Sequence, residues 1–217
     1  MPKRLRLKPY IDQRDSWPDK GQVILAQYDD ETVVVYQAYK DEIAKRAAER
    51  QTLAVPAFSM ERMSWIKPNF LWMMHHSEWA TAADQKCVLA IWVQRAAFDS
   101  ILAQAVPSRF DAGVYANKSE WERATEESEV RVQWDPNYTP TDQKMNLRAI
   151  QIGLRGGTLK RFASEWIVQI EDITPFVREQ AGYLPDEDLL FTPVEKIYPV
   201  KDREVAKRLG LDKSAAS

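Results

Sequence analysis

The run of β-branched and aromatic residues from Thr32 to Tyr39, TVVVYQAY, most constrains how this chain of 217 residues folds. Residues of these types pack well on a pleated, half-buried surface, so the run predicts a β-strand. The next segment, Asp41 to Arg50, is rich in Ala, Lys and Glu and predicts a helix. Later strand-like and helix-like segments do not follow the strict strand–helix–strand order of a doubly wound sheet. We therefore expect an α+β fold, with a mixed or largely antiparallel sheet flanked by short helices.

The distribution of proline and charge predicts a single domain between two tails. Residues 1–21 are polar, start with a basic cluster and are interrupted by prolines, which predicts an extended basic N-terminal arm. Residues 22–210 are the expected α+β domain, irregular after Pro175, and residues 211–217 the expected disordered tail. The sequence has neither a secretory signal nor the run of about 18 apolar residues that a membrane-spanning helix needs. We expect an intracellular, cytoplasmic protein, with a nuclear location as the alternative and no membrane partner.

Composition excludes several kinds of site. Lys and Arg number 30 against 32 Asp and Glu, so a net charge of −2 gives no global basic field for nucleic acid. The single Cys87 excludes an internal disulfide and a cysteine-based zinc site. His75 and His76 are the only histidines, and neighbouring side chains on a helix diverge by about 100°. We therefore expect no metal, and the glycine motifs of Walker and Rossmann phosphate sites are also missing.

Aromatic and basic residues concentrate in the segment from Arg62 to Ser77, RMSWIKPNFLWMMHHS. Pro68 disfavours helical backbone at the residue before it and predicts a short helix beginning at Asn69. Basic groups that alternate with aromatic faces suit a nucleotide or a single-stranded nucleic acid. The alternative is a core strand and helix whose charged side chains reach water. The ligand-binding candidates in this segment are Ser64, Trp65, Lys67, Trp72 and His75.

Two predicted strands each carry a glutamine. From Leu147 to Leu154 the sequence alternates with a period of two, and Gln151 shares a face with Ala149 and Gly153. These small neighbours predict room for a ligand above Gln151. Gln37 lies on the first predicted strand, so the two amides can converge on one polar ligand. The alternative is a satisfied polar group at a sheet edge.

A third predicted strand runs from Val130 to Trp134 and stops at Asp135-Pro136, because proline cannot donate a hydrogen bond to a sheet. Arg131 and Trp134 lie on this strand, where they either contact a ligand or serve the core. Arg148, on the neighbouring predicted strand, is a further cation for a phosphate.

Several of these motifs together resemble the domain-of-unknown-function 4291 family. The resemblance runs from about residue 22 to 210 and is most specific in the sequence WIKPNFLWMM. Members of that family carry no established activity, so the resemblance implies membership without a function. The other segments that carry it are Tyr28–Thr32, Val35–Tyr39, Arg131–Pro136, Arg148–Leu154 and Glu165–Val168.

The order of the strand motifs is also similar, more weakly, to that of the ADP-ribosyltransferase superfamily, which implies NAD as the cofactor and an ADP-ribosyltransferase-like arrangement of strands. Tyr36 and Gln37 stand where that superfamily holds the ribose and phosphate of NAD. Ser64 and Trp65 stand at its Ser-Thr-Ser-like strand. Gln151 stands at the position of the catalytic glutamate, whose acceptor oxygen stabilises an oxocarbenium ion. The residues that would supply positive charge for the phosphates are Lys67, Arg131 and Arg148.

Three functions are consistent with these patterns. The first is an intracellular nucleotide-binding domain, with NAD-dependent ADP-ribosyl transfer to an unknown acceptor as its enzymatic form. The second is a module that binds single-stranded RNA or DNA without catalysis, and the third is a protein-interaction domain. The predicted catalytic residue is Gln151, and the oligomeric state is left open. The predicted ligand-binding residues are Tyr36, Gln37, Tyr39, Ser64, Trp65, Lys67, Trp72, His75, Arg131, Trp134 and Arg148.

Overall fold

Two β-sheets organise residues 2–211, the part of the chain that the computed structural model describes. The first sheet is antiparallel, and its strands are, in spatial order, Ile167–Asp172 (β10), Cys87–Gln94 (β6) and Thr32–Tyr39 (β4). In the second sheet Lys144–Leu154 (β9) is antiparallel to Val130–Tyr138 (β8), and Val106–Pro107 (β7) joins β8 in parallel. Gly21–Gln22 (β2, parallel) and Ser64–Ile66 (β5, antiparallel) pair with different parts of β9.

Short strand pairs and helices surround these sheets. The remaining strand pairs are Leu7–Pro9 (β1) with Phe191–Pro193 (β11), and Leu25–Ala26 (β3) with Lys196–Ile197 (β12). The α-helices are Tyr10–Arg14 (α1), Asp41–Arg50 (α2), Phe70–Ser77 (α3), Arg95–Gln104 (α4), Lys118–Glu127 (α5), Gly156–Arg161 (α6), Thr174–Ala181 (α7) and Arg203–Arg208 (α8). A π-helical turn, Phe162–Trp166, follows α6, and a 3₁₀ turn spans Glu187–Leu189. The predicted α+β class is confirmed, and β4 and α2 have the predicted bounds.

Strand β4 is buried on both of its faces over most of its length, which explains why it reads as a nearly continuous apolar run. Alternate residues of β4 point into two different core clusters: Val33 and Val35 into one, Val34 and Tyr36 into the other. The first cluster continues into the second sheet through Ile150. Helix α3 packs into the second cluster.

The two sheets meet where β4 passes the residue that follows β5. The Tyr36 N–H donates to the Lys67 carbonyl at 2.7 Å, and the Lys67 N–H donates to the Tyr36 carbonyl at 3.1 Å. Pro68 follows, and the Asn69 side chain then caps helix α3 by accepting the Trp72 N–H at 2.8 Å. The extended conformation expected before Pro68 is therefore used to join the sheets.

Three local predictions were wrong. The expected extended arm over residues 1–21 contains helix α1, in which Tyr10 is fully buried, because this segment pairs with β11 and packs into the core. Strand β8 continues beyond Asp135-Pro136 to Tyr138, because a register shift after Pro136 takes up the disruption. The segment after Pro175, expected to be irregular, begins with helix α7, in which that proline occupies the first turn.

Two further observations concern the ends of the chain and the membrane. Residues 212–217 of the predicted disordered tail lie outside the described residues. Within residues 2–211, no helix has the length and apolar character needed to cross a bilayer.

Candidate functional site

A cavity of about 630 Å³ lies where the end of β4, the start of α2 and strand β5 come together. Cavities of about 620 and 650 Å³ occur elsewhere, so volume does not distinguish this one. Its lining does, because five of the predicted ligand-binding residues gather on its wall: Gln37, Tyr39, Ser64, Trp65 and Lys67. Sequence-distant strands thus bring the β4 glutamine and the basic-aromatic segment to one place.

Gln37 holds the junction between β4 and β5. Its Nε2 donates to the Ser64 Oγ at 2.7 Å and to the Trp65 carbonyl at 3.2 Å. Gln37 is only 3% exposed, and among residues 2–211 its Oε1 has no hydrogen-bond donor. Tyr39 lies next to this contact, with its hydroxyl 3.5 Å from the Ser64 Oγ, and burial raises the pKa of that hydroxyl, which stays protonated. One face of the site therefore presents neutral amide and hydroxyl groups.

Lys67 supplies an unusual cation to the cavity. It is 3% exposed, and burial lowers the pKa of its ammonium to about 8, against a smaller opposing effect of the Asp135 carboxylate. Within residues 2–211, its side chain forms neither an ion pair nor a hydrogen bond. A nearly buried lysine without a direct partner is energetically unfavourable, because its charge is removed from water without compensation.

His76 and Arg62 also line the cavity, although neither was among the predicted site residues. Burial, with smaller contributions from the positive charges of Lys67 and His75, lowers the pKa of His76 to about 4. The His76 imidazole is therefore neutral at pH 7. Both residues belong to the basic-aromatic segment, so the signal for them was present in the sequence.

Asp135 was not among the predicted site residues, because its proline neighbour marked it as a strand end. Its Oδ2 accepts a hydrogen bond from the Gln151 Nε2 at 2.7 Å, and its Oδ1 accepts one from the Gln133 Nε2 at 2.8 Å. Its negative charge acts on both Lys67 and His76 and partly offsets the lowering of their pKa values by burial. Asp135 thus links the strand glutamines electrostatically to the cavity, although neither it nor Gln151 lines the wall.

The room expected above Gln151 is not there. A methyl group added at Gly153 would lie 2.6 Å from the Met63 Sδ and 3.1 Å from the Trp65 Cε2. Trp65 occupies this space because β5 pairs antiparallel with β9 and places Trp65 opposite Gly153. The prediction of an open space beside the small residues of β9 was wrong, since a neighbouring strand fills it.

The other predicted ligand-binding residues do not line the cavity. The Arg131 guanidinium donates to the Ser128 and Val130 carbonyls, and that of Arg148 to the Trp134 carbonyl. The Trp134 indole N–H donates to the Leu209 carbonyl at 2.8 Å. These side chains satisfy backbone groups at the ends of strands, which is the structural alternative that the sequence left open.

Helix α3 directs its remaining candidates away from the cavity. Trp72 is 7% exposed, and its ring stacks with those of His75 and Tyr138. His75 also hydrogen-bonds Asp142, which fastens the β8–β9 turn to the helix. Tyr36, on strand β4, also lies outside the cavity wall. It is fully buried, and its ring packs edge-on against Phe70 of α3. These rings are thus engaged with other rings of the protein.

No group of three or more His, Cys, Asp or Glu side chains in residues 2–211 is arranged to hold a metal ion. The chain matches the family described as a domain of unknown function, DUF4291, over residues 23–198. The match covers most of the 217 residues, including every residue named on the cavity wall. No curated protein matches the chain.

Proposed function

This chain belongs to the DUF4291 family, and we propose that its cavity binds an anionic small molecule of the nucleotide class. The observation that carries the proposal is Lys67, a nearly buried cation on the cavity wall that has no ion-pair or hydrogen-bond partner within the described residues. A bound phosphate places a negative charge beside the Lys67 ammonium, which has no carboxylate in ion-pair contact within residues 2–211. The charge-assisted contact then offsets the cost of keeping the ammonium away from water.

The rest of the wall suits the other parts of a nucleotide. Arg62 adds a second cation, and Phe58 and Trp65 add aromatic surface beside it. Ser64 and Tyr39 present hydroxyl groups at hydrogen-bonding distance from each other. Aromatic faces, polar groups and cations in one concave site are the combination that small charged ligands with rings require.

Thermal unfolding tests the proposal with NAD, ADP-ribose, ATP and GTP as anionic ligands and adenosine as the neutral control. Ligand at about 100 times its dissociation constant adds roughly 2.7 kcal/mol to the free energy of unfolding. We expect a concentration-dependent rise in Tm with at least one anionic ligand and none with adenosine. The Lys67→Met variant is expected to lose that rise. Lys45→Met, an exposed lysine on α2 away from the cavity, is expected to keep it.

Cleavage of the nicotinamide–ribose bond of NAD is the second candidate function, and the arrangement of strands favours it. Strands β4, β5 and β9 carry Gln37, Ser64 and Gln151, and they lie side by side through the Tyr36–Lys67 bridge and the β5–β9 pairing. A glutamine carries no charge to stabilise an oxocarbenium ion, but the Asp135 carboxylate lies 2.7 Å from the Gln151 amide.

A nicotinamide-release assay tests this enzymatic form. We expect release by the wild type, and at least a tenfold slower rate in Asp135→Asn and in Gln151→Ala. Glu49→Ala, an exposed residue on α2, serves as the control. Absence of release by the wild type at millimolar NAD, with binding intact, would leave a nucleotide-binding domain without this chemistry.

The nucleic-acid hypothesis has less support, because Trp72 and Trp134 face the interior of the protein. It predicts oligonucleotide binding that weakens steeply with salt. A short RNA and a short DNA therefore belong in the same thermal-unfolding series. A response to oligonucleotides alone would favour that hypothesis, and no response to any ligand would favour the protein-interaction domain.

A further inference from the structure

We propose that Lys67 is a reactive amine that condenses with the carbonyl group of an anionic aldehyde held in the cavity. This inference rests on the proposed binding of anions and names a chemical class of ligand for the same site. It differs from simple phosphate binding because it requires a covalent, reversible imine with the Lys67 Nζ.

The first argument is the rigid placement of the amine. The Lys67 backbone is fixed on both sides, by its two hydrogen bonds to Tyr36 and by Pro68, which restricts the conformation before it. The side chain therefore starts from an ordered position at the cavity wall. A nucleophile in a fixed position reacts faster than a freely moving surface lysine at the same concentration of aldehyde.

The second argument is the chemical environment of the amine. Among residues 2–211 no carboxylate forms an ion pair with the ammonium, and Asp135 acts on it only through its longer-range field. Besides Lys67, the titratable groups of the wall are Tyr39, Lys40, Glu42, Arg62, His76 and Asp84. His76 is neutral at pH 7, Tyr39 stays protonated and Arg62 is cationic, so none of these three holds the lysine in its charged form. Desolvation is the largest effect on the pKa of Lys67, which lies near 8.

Two exposed carboxylates, those of Asp84 and Glu42, also line the cavity. Asp84 pairs with Lys40 at 3.1 Å, and Glu42 at the start of α2 is exposed. These groups lie among exposed residues, so water screens their charges. About half of Lys67 is therefore a free amine near pH 8, whereas an ordinary lysine with a pKa near 10.4 is almost entirely protonated there.

The reaction balances with no other reagent. The lone pair of the Lys67 Nζ attacks the carbonyl carbon, and the carbonyl π electrons move to oxygen, which takes a proton. The nitrogen gives up one proton to leave a neutral carbinolamine. The hydroxyl group of the carbinolamine takes a second proton and departs as water while the C=N bond forms, and the nitrogen then releases its remaining proton. The sum is amine plus aldehyde giving imine plus water. The neutral His76 imidazole and the Tyr39 hydroxyl are the wall groups that can pass these protons.

Reductive trapping tests the proposal with pyridoxal 5′-phosphate as the probe, an aldehyde that carries a phosphate. Borohydride reduces the imine to a stable secondary amine, and peptide mapping locates it. We expect Lys67 to be labelled at least tenfold faster than Lys45 at pH 8, with a labelling rate that is half-maximal near pH 8. Pyridoxal, which lacks the phosphate, is expected to label Lys67 more slowly. Labelling of Lys67 no faster than Lys45 would overturn the proposal.

The wild type separates this proposal from the proposed function, because labelling reports the imine and the nucleotide-induced rise in Tm reports the anion site. Arginine forms no such imine, so the Lys67→Arg variant is expected to lose site-specific labelling. Lys45→Arg is the matched control and is expected to retain both the labelling of Lys67 and the rise in Tm. If the wild type responds to nucleotides and Lys67 is not selectively labelled, the imine fails and the binding site stands. If Lys67 is labelled equally fast by both aldehydes and no nucleotide raises the Tm, the anion site fails.

Discussion

Two buried polar clusters flank the segment that runs from β5 into helix α3, and they differ in how completely their groups are paired. The first, which we call the closed cluster, consists of Gln13, Asn69, Thr192 and Glu195. The second, which we call the open cluster, consists of Gln37, Ser64 and Lys67 at the cavity. Burial alone does not separate them, since Glu195, Gln37 and Lys67 are each 3% exposed.

In the closed cluster, polar atoms meet partners from the chain itself. The Glu195 carboxylate accepts the Phe70 N–H at 2.6 Å and the Asn69 Nδ2 at 2.7 Å. Gln13 bonds Thr192 through its Nε2 and the Glu195 N–H through its Oε1. These bonds fasten the β11–β12 region to the start of α3, so the cluster serves the fold.

In the open cluster, two polar groups lack partners within residues 2–211: the Gln37 Oε1 has no donor and the Lys67 ammonium has no acceptor. An unpaired buried polar group costs free energy, so a change that removes it recovers part of that cost. We therefore expect the free energy of unfolding to fall when a polar group is removed from the closed cluster. Removal of one from the open cluster should raise the free energy of unfolding or leave it nearly unchanged.

The largest expected effect is at Glu195. Glu195→Ala leaves the Phe70 N–H and the Asn69 amide without their acceptor, and we expect the free energy of unfolding to fall by about 1–3 kcal/mol for each donor left unpaired. Urea denaturation measures it. Glu49→Ala, on the exposed face of α2, is the control and should stay within about 0.5 kcal/mol of the wild type. A similarly small change in Glu195→Ala would remove the distinction between the two clusters.

A change of opposite sign in the free energy of unfolding is expected at Lys67. Lys67→Met keeps an unbranched side chain but removes a nearly buried charge, so the free energy of unfolding at pH 7 should rise by on the order of 1–3 kcal/mol. The same variant should lose ligand binding. A destabilised Lys67→Met that still bound ligand would show that the lysine serves the fold.

The pH dependence of that difference sharpens the comparison. The pKa of Lys67 is lowered from 10.5 in the unfolded chain to about 8 in the folded protein, so the unfolded state binds more protons between these values. The unfavourable effect of Lys67 on stability is therefore full below pH 8 and fades as the pH rises to 10.5. Urea denaturation from pH 7 to 10 should show the advantage of Lys67→Met shrinking. An advantage that stayed constant with pH would contradict the lowered pKa.

The smallest expected effect on stability is at Gln37. Gln37→Leu removes two hydrogen bonds, to Ser64 and Trp65, but also removes the unpaired Oε1. These effects oppose each other, so we expect a change within about 1 kcal/mol in urea denaturation. Ser16→Ala, which removes one partly buried bond to the Gln13 carbonyl, gives a comparison of similar size. A loss of several kcal/mol in Gln37→Leu would place Gln37 with the closed cluster.

Local sequence signals predicted the elements of this fold better than the site. The β-branched run of β4 and the Ala-rich α2 followed from residue type, and the turn into α3 followed from Pro68 and Asn69. The burial of Tyr10 was missed because it depends on pairing with β11, more than 180 residues away. Distance along the chain thus separates what was predictable from what was not.

The site shows the same division. Lys67, predicted to bind a ligand from the charge among its aromatic neighbours, lies on the wall of the cavity. Gln151 was placed on the right strand, but the pairing partner that sets its surroundings, β5, fills the space beside it with Trp65. The effect of Asp135 on Lys67 and His76 depends on the folded sheet, since these residues come from different elements.

Equilibrium binding of ADP-ribose at pH 7, measured by isothermal titration calorimetry, tests most directly the claim that the open cluster is a binding site. The wild type and Lys45→Met are predicted to bind with equal Kd, and Lys67→Met at least tenfold more weakly, a change of about 1.4 kcal/mol. Equal binding by the wild type and Lys67→Met, or no binding by the wild type, would contradict the account.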